Sequence, residues 1–314
     1  MRRILIIGSK GQVGTALIRA LEESPDVELV VSSDIKDPSP DDHSHYIRLD
    51  ATSAEEIRKT LVVHGINEVY LMAAMLSATA ERNPMKAWDL NMTSLFNVLE
   101  LGREGLVDRI FWPSSIAVYG HHAQIIKTPQ HETLQPTTVY GISKVSGELW
   151  CNYYHEKHGV DVRSVRYPGL IGSRSLPGGG TTDYAVHIFH AALEKGHFSC
   201  FLSPDRRLPM MHMNDAIRAT MELMAAPPEN LSVRTSYNIQ AMSFDPQTLA
   251  AEIQRHIPEF TIEYLPDHRD LIAADWPDSI DDRQAREDWH WRPSVDLTSL
   301  VDLMLTDLKI KDLL

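Results

Sequence analysis

The stretch YGISK at 140–144 sets Tyr140 and Lys144 four residues apart, which on a helix is one turn along the same face. A phenol ionises near pH 10 in water, so it serves as a base near neutrality only when its pKa falls by about 3 units, an energy of about 4 kcal/mol. An ammonium one helical turn away supplies part of that field. Twenty-five residues before Tyr140, the strand-like run RIFWPSS ends at Ser114 and Ser115, whose hydroxyls can donate to an oxygen that is changing its charge. Phenol, ammonium and hydroxyl are together the means of taking a proton from an alcohol. Each is common alone, and only a scaffold that gathers them gives them meaning.

Such a scaffold is legible in the alternation of short apolar runs with longer amphipathic ones. RRILIIG leads to a helix ending near Glu23, then come VELVVSSD, a helix near 53–64, EVYLMAA, a helix near 84–104, RIFWPSS, a helix over about 140–158, and DVRSVRY. This βαβ order predicts an α/β fold, a Rossmann-type doubly wound parallel sheet with helices on both faces. After residue 170 the order gives way to loops, helices near 183–196, 214–225 and 246–256, and short strands such as RTSYNIQ and FTIEYL. Residues 1–170 are expected to form the dinucleotide-binding unit that carries the catalytic set. Residues 171–314 are expected to form mainly a smaller substrate-binding lobe over the carboxyl ends of the sheet, with some segments returning to the first unit. The final VDLTSLVDLMLTDLKIKDLL has helical spacing and should close that lobe.

The first strand runs into GSKGQVG, with Gly8, Gly11 and Gly14 three apart at a strand-to-helix turn. The first glycine permits the tight turn, the second lets backbone approach a pyrophosphate, and the third lets helix pack on strand. The helix N-terminus then offers free N–H groups to phosphates. VELVVSSD ends at Asp34, twenty residues past Gly14, where a carboxylate can accept from the adenosine ribose hydroxyls and would repel a 2′-phosphate. NAD is therefore favoured over NADP. Asp50 and Ala51, after the strand-like HYIRLD, are a plausible adenine contact.

Composition narrows the partners. The 314 residues carry 43 acids against 30 Lys and Arg, a formal charge of −13, which works against nucleic acid or anionic membrane as a partner. The longest apolar run, VYLMAAML at 69–76, is far shorter than the roughly 20 residues that span a bilayer. The opening Met1-Arg2-Arg3 precedes only four apolar residues, too few for a secretory signal core. Two cysteines, Cys151 and Cys200, make neither a disulfide framework nor a four-thiolate zinc site, which fits a reducing cytoplasm. Fifteen histidines, among them His121-His122, His43 with His45, and His155 with His158, lack acid or thiolate partners at ligand spacing, so no metal is expected. Arg174, near the glycine loop, is read either as a partner for a carboxylate or, at least as readily, as a surface loop residue, and the acidic run from Asp267 to Asp288 as a solvated face.

The glycine turn, its acid and the Ser, Tyr and Lys set together resemble the short-chain dehydrogenase/reductase superfamily, in the extended branch that includes sugar-nucleotide epimerases. The resemblance implies that Ser115, Tyr140 and Lys144 are the catalytic set. Tyr140 would take the alcohol proton as the carbon gives hydride to NAD, Ser115 would hold the same oxygen, and Lys144 would also reach the nicotinamide ribose. It further implies NAD contacts from Gly8, Gly11, Gln12, Val13, Gly14, Asp34, Ile35, Asp50, Ala51, Met72, Ala73, Ala74, Leu90, Asn91, Tyr167 and Leu170, besides Tyr140 and Lys144.

A narrower resemblance is carried by LSA at 76–78, RYPG at 166–169, PGGGTTDYAV at 177–186, RLPMM at 207–211, AMSF at 241–244 and DWP at 275–277. From the first strand to at least Trp291 the chain is similar to the short-chain L-threonine 3-dehydrogenases, which oxidise the 3-hydroxyl with NAD to 2-amino-3-ketobutyrate. Where that family often has PST, this sequence has PSS, and Ser115 keeps the hydroxyl. A threonine zwitterion needs donors for its carboxylate, acceptors for its ammonium and a wall for its methyl group. Ser77, Ser115, Tyr140, Gly180, Thr181, Thr182 and Trp276 are the expected substrate contacts, with Gly180, Thr181 and Thr182 as a cradle for the carboxylate. The resemblance also implies a homodimer built on the helices near 84–104 and 140–158. The nearest alternative is a nucleotide-sugar epimerase or dehydratase with the same catalytic set; a more distant one is an NAD-sensing regulator, for which Tyr140 and Lys144 would have no use.

Overall fold

The computed structural model describes residues 1–311 except 41, 43–44 and 175–177. His43 and Pro177, both singled out above, lie outside the described residues. The first half follows the βαβ order: β1 (Arg2–Ile7), α1 (Gln12–Glu22), β2 (Val27–Asp34), β3 (Tyr46–Arg48), α2 (Ala54–His64), β4 (Glu68–Leu71), α3 (Ser77–Arg82), α4 (Pro84–Arg103), β5 (Arg109–Phe111), β6 (Ser114–Ser115), α5 (Val139–His158) and β7 (Val162–Arg163). Six of these strands form one sheet in the order β3-β2-β1-β4-β5-β7, every pair parallel. The order reverses between β1 and β4, and a crevice opens there at the carboxyl ends of the strands.

Local chemistry explains these elements. Ile4, Leu5, Ile6 and Ile7 are all buried, each contributing about 1.5–3 kcal/mol, so β1 reads as a continuous apolar run with both faces covered. Helix α2 starts where Ser53 accepts the Glu56 N–H at 3.3 Å and stops at Gly65, in the left-handed region at φ 58°. Helix α5 starts where Thr138 accepts the Gly141 N–H at 3.1 Å, while Glu81 of α3 takes the Val139 N–H at 2.8 Å. Its last turn carries His155, Lys157 and His158, which complement the helix dipole. It lies tight against the sheet because Gly147 has no side chain: a Cβ there would meet the Trp112 ring at 2.3 Å.

RIFWPSS, expected as one strand, is two. Trp112 still bonds to Arg163 O at 3.0 Å, but Pro113 has no N–H, and Ser114–Ser115 pairs instead with β8 (Val165–Tyr167). The later chain forms β9 (Gly169–Ile171), α6 (Tyr184–Glu194), β10 (His197–Cys200), β11 (Leu208–His212), α7 (Met213–Ala225), β12 (Tyr237–Asn238), β13 (Met242–Phe244), α8 (Pro246–Gln254), β14 (Thr261–Tyr264), α9 (His268–Ala274), α10 (Arg283–Trp289) and α11 (Leu297–Lys311). β12 lies beside β8 and β6, β11 joins β9 to β13, and β10 pairs with β14. Helices α6, α8 and α11 pack around one apolar cluster that includes Tyr184, Phe189, Leu249, Phe260 and Met304.

The acidic run after Asp267 is not all solvated face. Asp270 is buried and accepts from Ser203 and Arg206, and Asp282 is buried under Arg286 and the Trp291 indole N–H. Paired carboxylates tolerate burial where lone ones do not. Among the described residues no helix is long and apolar enough to cross a membrane, and no group of three metal-binding side chains occurs.

Candidate active site

A cleft of about 240 Å³ opens at the switch point. Its walls include Gly8, Gly11, Gln12, Val13 and Gly14 of the first turn, Met72, Ala74 and Ser77 beyond β4, Ser115, Tyr140, Lys144, Tyr167 and Leu170, and the late-chain Gly180, Thr181, Thr182 and Trp276. These residues come from seven separate stretches of chain. Ser114, the other hydroxyl at the end of RIFWPSS, also lines it, as do Leu76, Pro113, Ile116, Pro168, Gly169 and Asp183, which were not among the expected site residues. For Asp183 a signal existed: it is the single acid in the polar stretch GGGTTDY.

The phosphate turn has the shape that a dinucleotide requires. Gly8 has φ +90°, and a Cβ there would sit 2.5 Å from Ala73 N. A Cβ on Gly14 would sit 2.5 Å from Gly8 O, so the helix can pack this close only on glycine. Gly11 differs: nothing lies nearer its absent Cβ than Gly8 O at 3.5 Å, so its bareness leaves open space at the mouth of α1. Asp34, at the end of β2, accepts from the Lys10 N–H at 3.1 Å and the Lys36 N–H at 3.3 Å. The Lys10 ammonium is turned to Asp42 at 2.9 Å.

Other expected cofactor residues stand back from the cleft. Asp50 accepts from Thr52 N–H and hydroxyl at 2.9 and 2.7 Å, closing its own turn, and Ala51 is buried beneath it. Ile35 is exposed just past Asp34, Ala73 faces Gly8, and Leu90 is part-buried on α4. Asn91 is buried and grips Met75 through both backbone groups, at 2.8 and 3.3 Å, which fixes the chain beyond β4.

Tyr140 and Lys144 stand on one face of α5, with the Lys144 Nζ 5.5 Å from the Tyr140 ring centroid and 4.4 Å from that of Trp112. Nζ donates to Pro113 O at 2.5 Å. Burial pushes the Lys144 ammonium down to about 7, an effect that Cys151 and Glu148 oppose only in part. Burial also pushes the Tyr140 phenol up to about 12, with the Ser115 hydroxyl acting against it. Desolvation of the phenolate is the larger influence, and it favours the protonated phenol.

The glycine loop turns on Asp183. Its Oδ2 accepts the N–H groups of Gly179 and Gly180 at 2.9 and 2.6 Å, so the Gly180 N–H that the sequence suggested for a substrate carboxylate is already engaged. Burial raises the Asp183 pKa. Asp183 is the only carboxylate among the described residues that line the cleft. Opposite it, Thr181 and Ser77 are both buried with their hydroxyls 3.3 Å apart. Trp276 is buried in the late-chain core and presents a side to the cleft, and its neighbour Asp275 is held by Thr137 at 2.6 Å and by His121 at 2.6 Å.

A larger groove, about 820 Å³, runs between α1 and α7, but it holds none of Ser115, Tyr140 and Lys144, and its Arg218 and Glu222 pair with each other at 2.9 Å. Size does not locate the chemistry here.

Comparison with known proteins agrees with this geometry. An uncharacterized epimerase/dehydratase of Staphylococcus haemolyticus is 44% identical over 316 residues, covering 99% of both chains. The GalE-like L-threonine dehydrogenase from Cupriavidus necator, in its holo form, is 53% identical with a TM-score of 0.95, over 98% of this chain and 99% of that one. A monomeric L-threonine 3-dehydrogenase from a metagenome is 43% identical with a TM-score of 0.94, over the same shares. The model of the NAD dependent epimerase/dehydratase family matches residues 4–239. With its Rossmann sheet, its glycine turn and its Ser, Tyr and Lys in one cleft, the chain belongs to the NAD-dependent epimerase/dehydratase family.

Proposed function

We propose that this protein oxidises the 3-hydroxyl of L-threonine with NAD, giving 2-amino-3-ketobutyrate. One observation carries the reading: a single carboxylate, two facing hydroxyls and a proton-transfer set meet in one small cleft, a match for a small hydroxy amino acid zwitterion. The two similar structures named for L-threonine dehydrogenation support it.

The glycine turn with Gly8, Gly11 and Gly14 would hold the pyrophosphate of NAD, Asp34 its adenosine ribose, and Tyr167 to Leu170 would lie beside its nicotinamide end. When bound, NAD supplies an acceptor for the hydride leaving C3 and a positive charge beside the reacting oxygen. Tyr140 takes the hydroxyl proton, and Ser115 holds the same oxygen. Lys144, buried beside the Tyr140 ring, stabilises the phenolate as it forms. Asp183 accepts from the substrate ammonium, while Ser77 and Thr181 donate to its carboxylate and Trp276 walls the methyl group. The late-chain residues in this scheme belong to the substrate-binding lobe that follows residue 170.

The helix pair α4 and α5 carries an exposed apolar face, with Met85, Ile142, Leu149, Trp150 and Tyr153, on which we place a homodimer contact. Because one similar enzyme is monomeric, sedimentation of the wild type against Trp150→Asp is the direct measurement, with dissociation of the dimer expected. Cys151 and Cys200 are buried and free, as suits a cytoplasmic enzyme of threonine breakdown. The test of function is NAD reduction with L-threonine, its C3 epimer and L-serine. Turnover of L-threonine first among them is expected, and turnover of a nucleotide sugar with none of L-threonine overturns the reading.

A further inference from the structure

Glu148 has no part in the scheme above, yet it lies one helical turn beyond Lys144 on α5. It is 1% exposed, and its partner Arg166 is 3% exposed. Both carboxylate oxygens are committed: Oε1 accepts from the Ser114 hydroxyl at 2.6 Å and from Arg166 Nε at 2.9 Å, and Oε2 accepts from Arg166 Nη2 at 2.7 Å. The guanidinium is full on its other side, with Nη1 donating to Tyr119 Oη, Gln130 O and Asn238 Oδ1 at 3.0, 3.0 and 3.1 Å.

A fully buried ion pair adds little stability over apolar residues of the same volume, because desolvation offsets the attraction. What it adds is geometry, since a buried carboxylate with both oxygens bonded favours one arrangement of the elements that bear its partners. Those elements are α5, β6 and β8, and Ser114 stands opposite Arg166 in the ladder. β6 is two residues long, follows a proline and, among the described residues, has β8 as its only ladder partner. Backbone pairing alone holds it weakly, yet its second residue is Ser115.

We propose that Glu148 is a positioning residue: gripped by Arg166 and bound by Ser114, it locks the strand that carries Ser115 against the helix that carries Tyr140 and Lys144. The inference rests on the roles given to those three residues under Proposed function. A shift of about 1 Å at a reacting group lowers rates by about a hundredfold, so loosening β6 should show in kcat.

Ser114→Ala removes the tie and leaves the ion pair whole. Its kcat, counted per NAD-binding site, is expected to fall at least about tenfold, with KM for NAD within about twofold of wild type. Ser114→Thr restores the hydroxyl but crowds a buried position, so its kcat should exceed that of Ser114→Ala although its Tm is no higher. Glu148→Leu/Arg166→Met removes both charges together, should fold, and should lose kcat by a similar factor. Near-wild-type kcat in Ser114→Ala or in the double variant overturns the proposal, as does a loss of rate that merely follows Tm across the series. If wild type does not oxidise L-threonine, the functional reading fails by itself. Positioning is then read from hydrogen exchange of residues 114–118, where faster exchange in Ser114→Ala supports it and equal exchange sinks it.

Discussion

The Ser77 and Thr181 hydroxyls stand 3.3 Å apart across 104 residues of chain. One opens α3 just beyond the crevice of the sheet, and the other lies in the glycine loop before α6. Their meeting makes the glycine loop one wall of the cleft that Gly8, Tyr140, Lys144 and Trp276 also line.

Tyr140→Phe should lower kcat by about 10³-fold while leaving the affinity for NAD within a few-fold of wild type, since only the proton acceptor is lost. Stopped-flow turnover and equilibrium titration with NAD measure the two separately. Because burial lifts the phenol to about 12, kcat/KM for L-threonine in the wild type should climb with pH through neutrality and beyond. A rate independent of pH over that range would count against Tyr140 as the base.

For Asp183, the expected effect is on substrate. Asp183→Asn keeps an acceptor for the Gly179 and Gly180 N–H groups but loses the charge proposed above to face the substrate ammonium. KM for L-threonine should rise about 10- to 100-fold, the measure of one charge-assisted hydrogen bond, with KM for NAD unchanged. Steady-state kinetics with each substrate varied in turn gives the answer, and an unchanged KM for L-threonine removes Asp183 from the substrate site.

On the proposed reading, cofactor choice depends on the Asp34 carboxylate at the end of β2. Asp34→Ser should lower kcat/KM with NAD by about tenfold and raise it with NADP, because the mutation removes both the ribose acceptor and the repulsion of a 2′-phosphate. Wild type that uses NAD and NADP equally well would refute the assignment.

Burying Lys144 works against folding at neutral pH. Its folded-state pKa, about 7, lies below its ordinary 10.5, so the unfolded chain binds the extra proton and stability rises as pH climbs from about 7. Above about pH 9 the raised Cys151 and Tyr140 groups act with the opposite sign, which leaves a window from about 7 to 9 for this one effect. Lys144→Met should be inactive yet more stable than wild type at pH 7, by about 2 kcal/mol, with the gap narrowing toward pH 9. Thermal melts across that range test this, and a gap that stays constant with pH would contradict it.

Much of the fold was legible because its signals are local. Alternating apolar runs, a three-glycine turn and an acid at the end of the next strand follow from steric and hydrogen-bonding demands that act over a few residues, and they specify a parallel sheet and its dinucleotide turn. Tyr140 and Lys144 announce themselves through helical spacing for the same reason. Pro113 hid the break that sends Ser114 and Ser115 to a second sheet, because pairing with β8 is decided by partners fifty residues away.

Electrostatics and long-range contact were settled only in three dimensions. Whether Asp270 and Asp282 face water or arginine depends on what packs over them, and so does the direction in which burial moves Tyr140 and Lys144. The sequence by itself determined which residue types were available for proton transfer and that Tyr140 and Lys144 share one helix face. Tertiary structure alone decided that Asp183 would take the glycine N–H groups and stand as the sole acid among the described residues of the cleft, because desolvation and pairing are properties of neighbours that chain order does not contain.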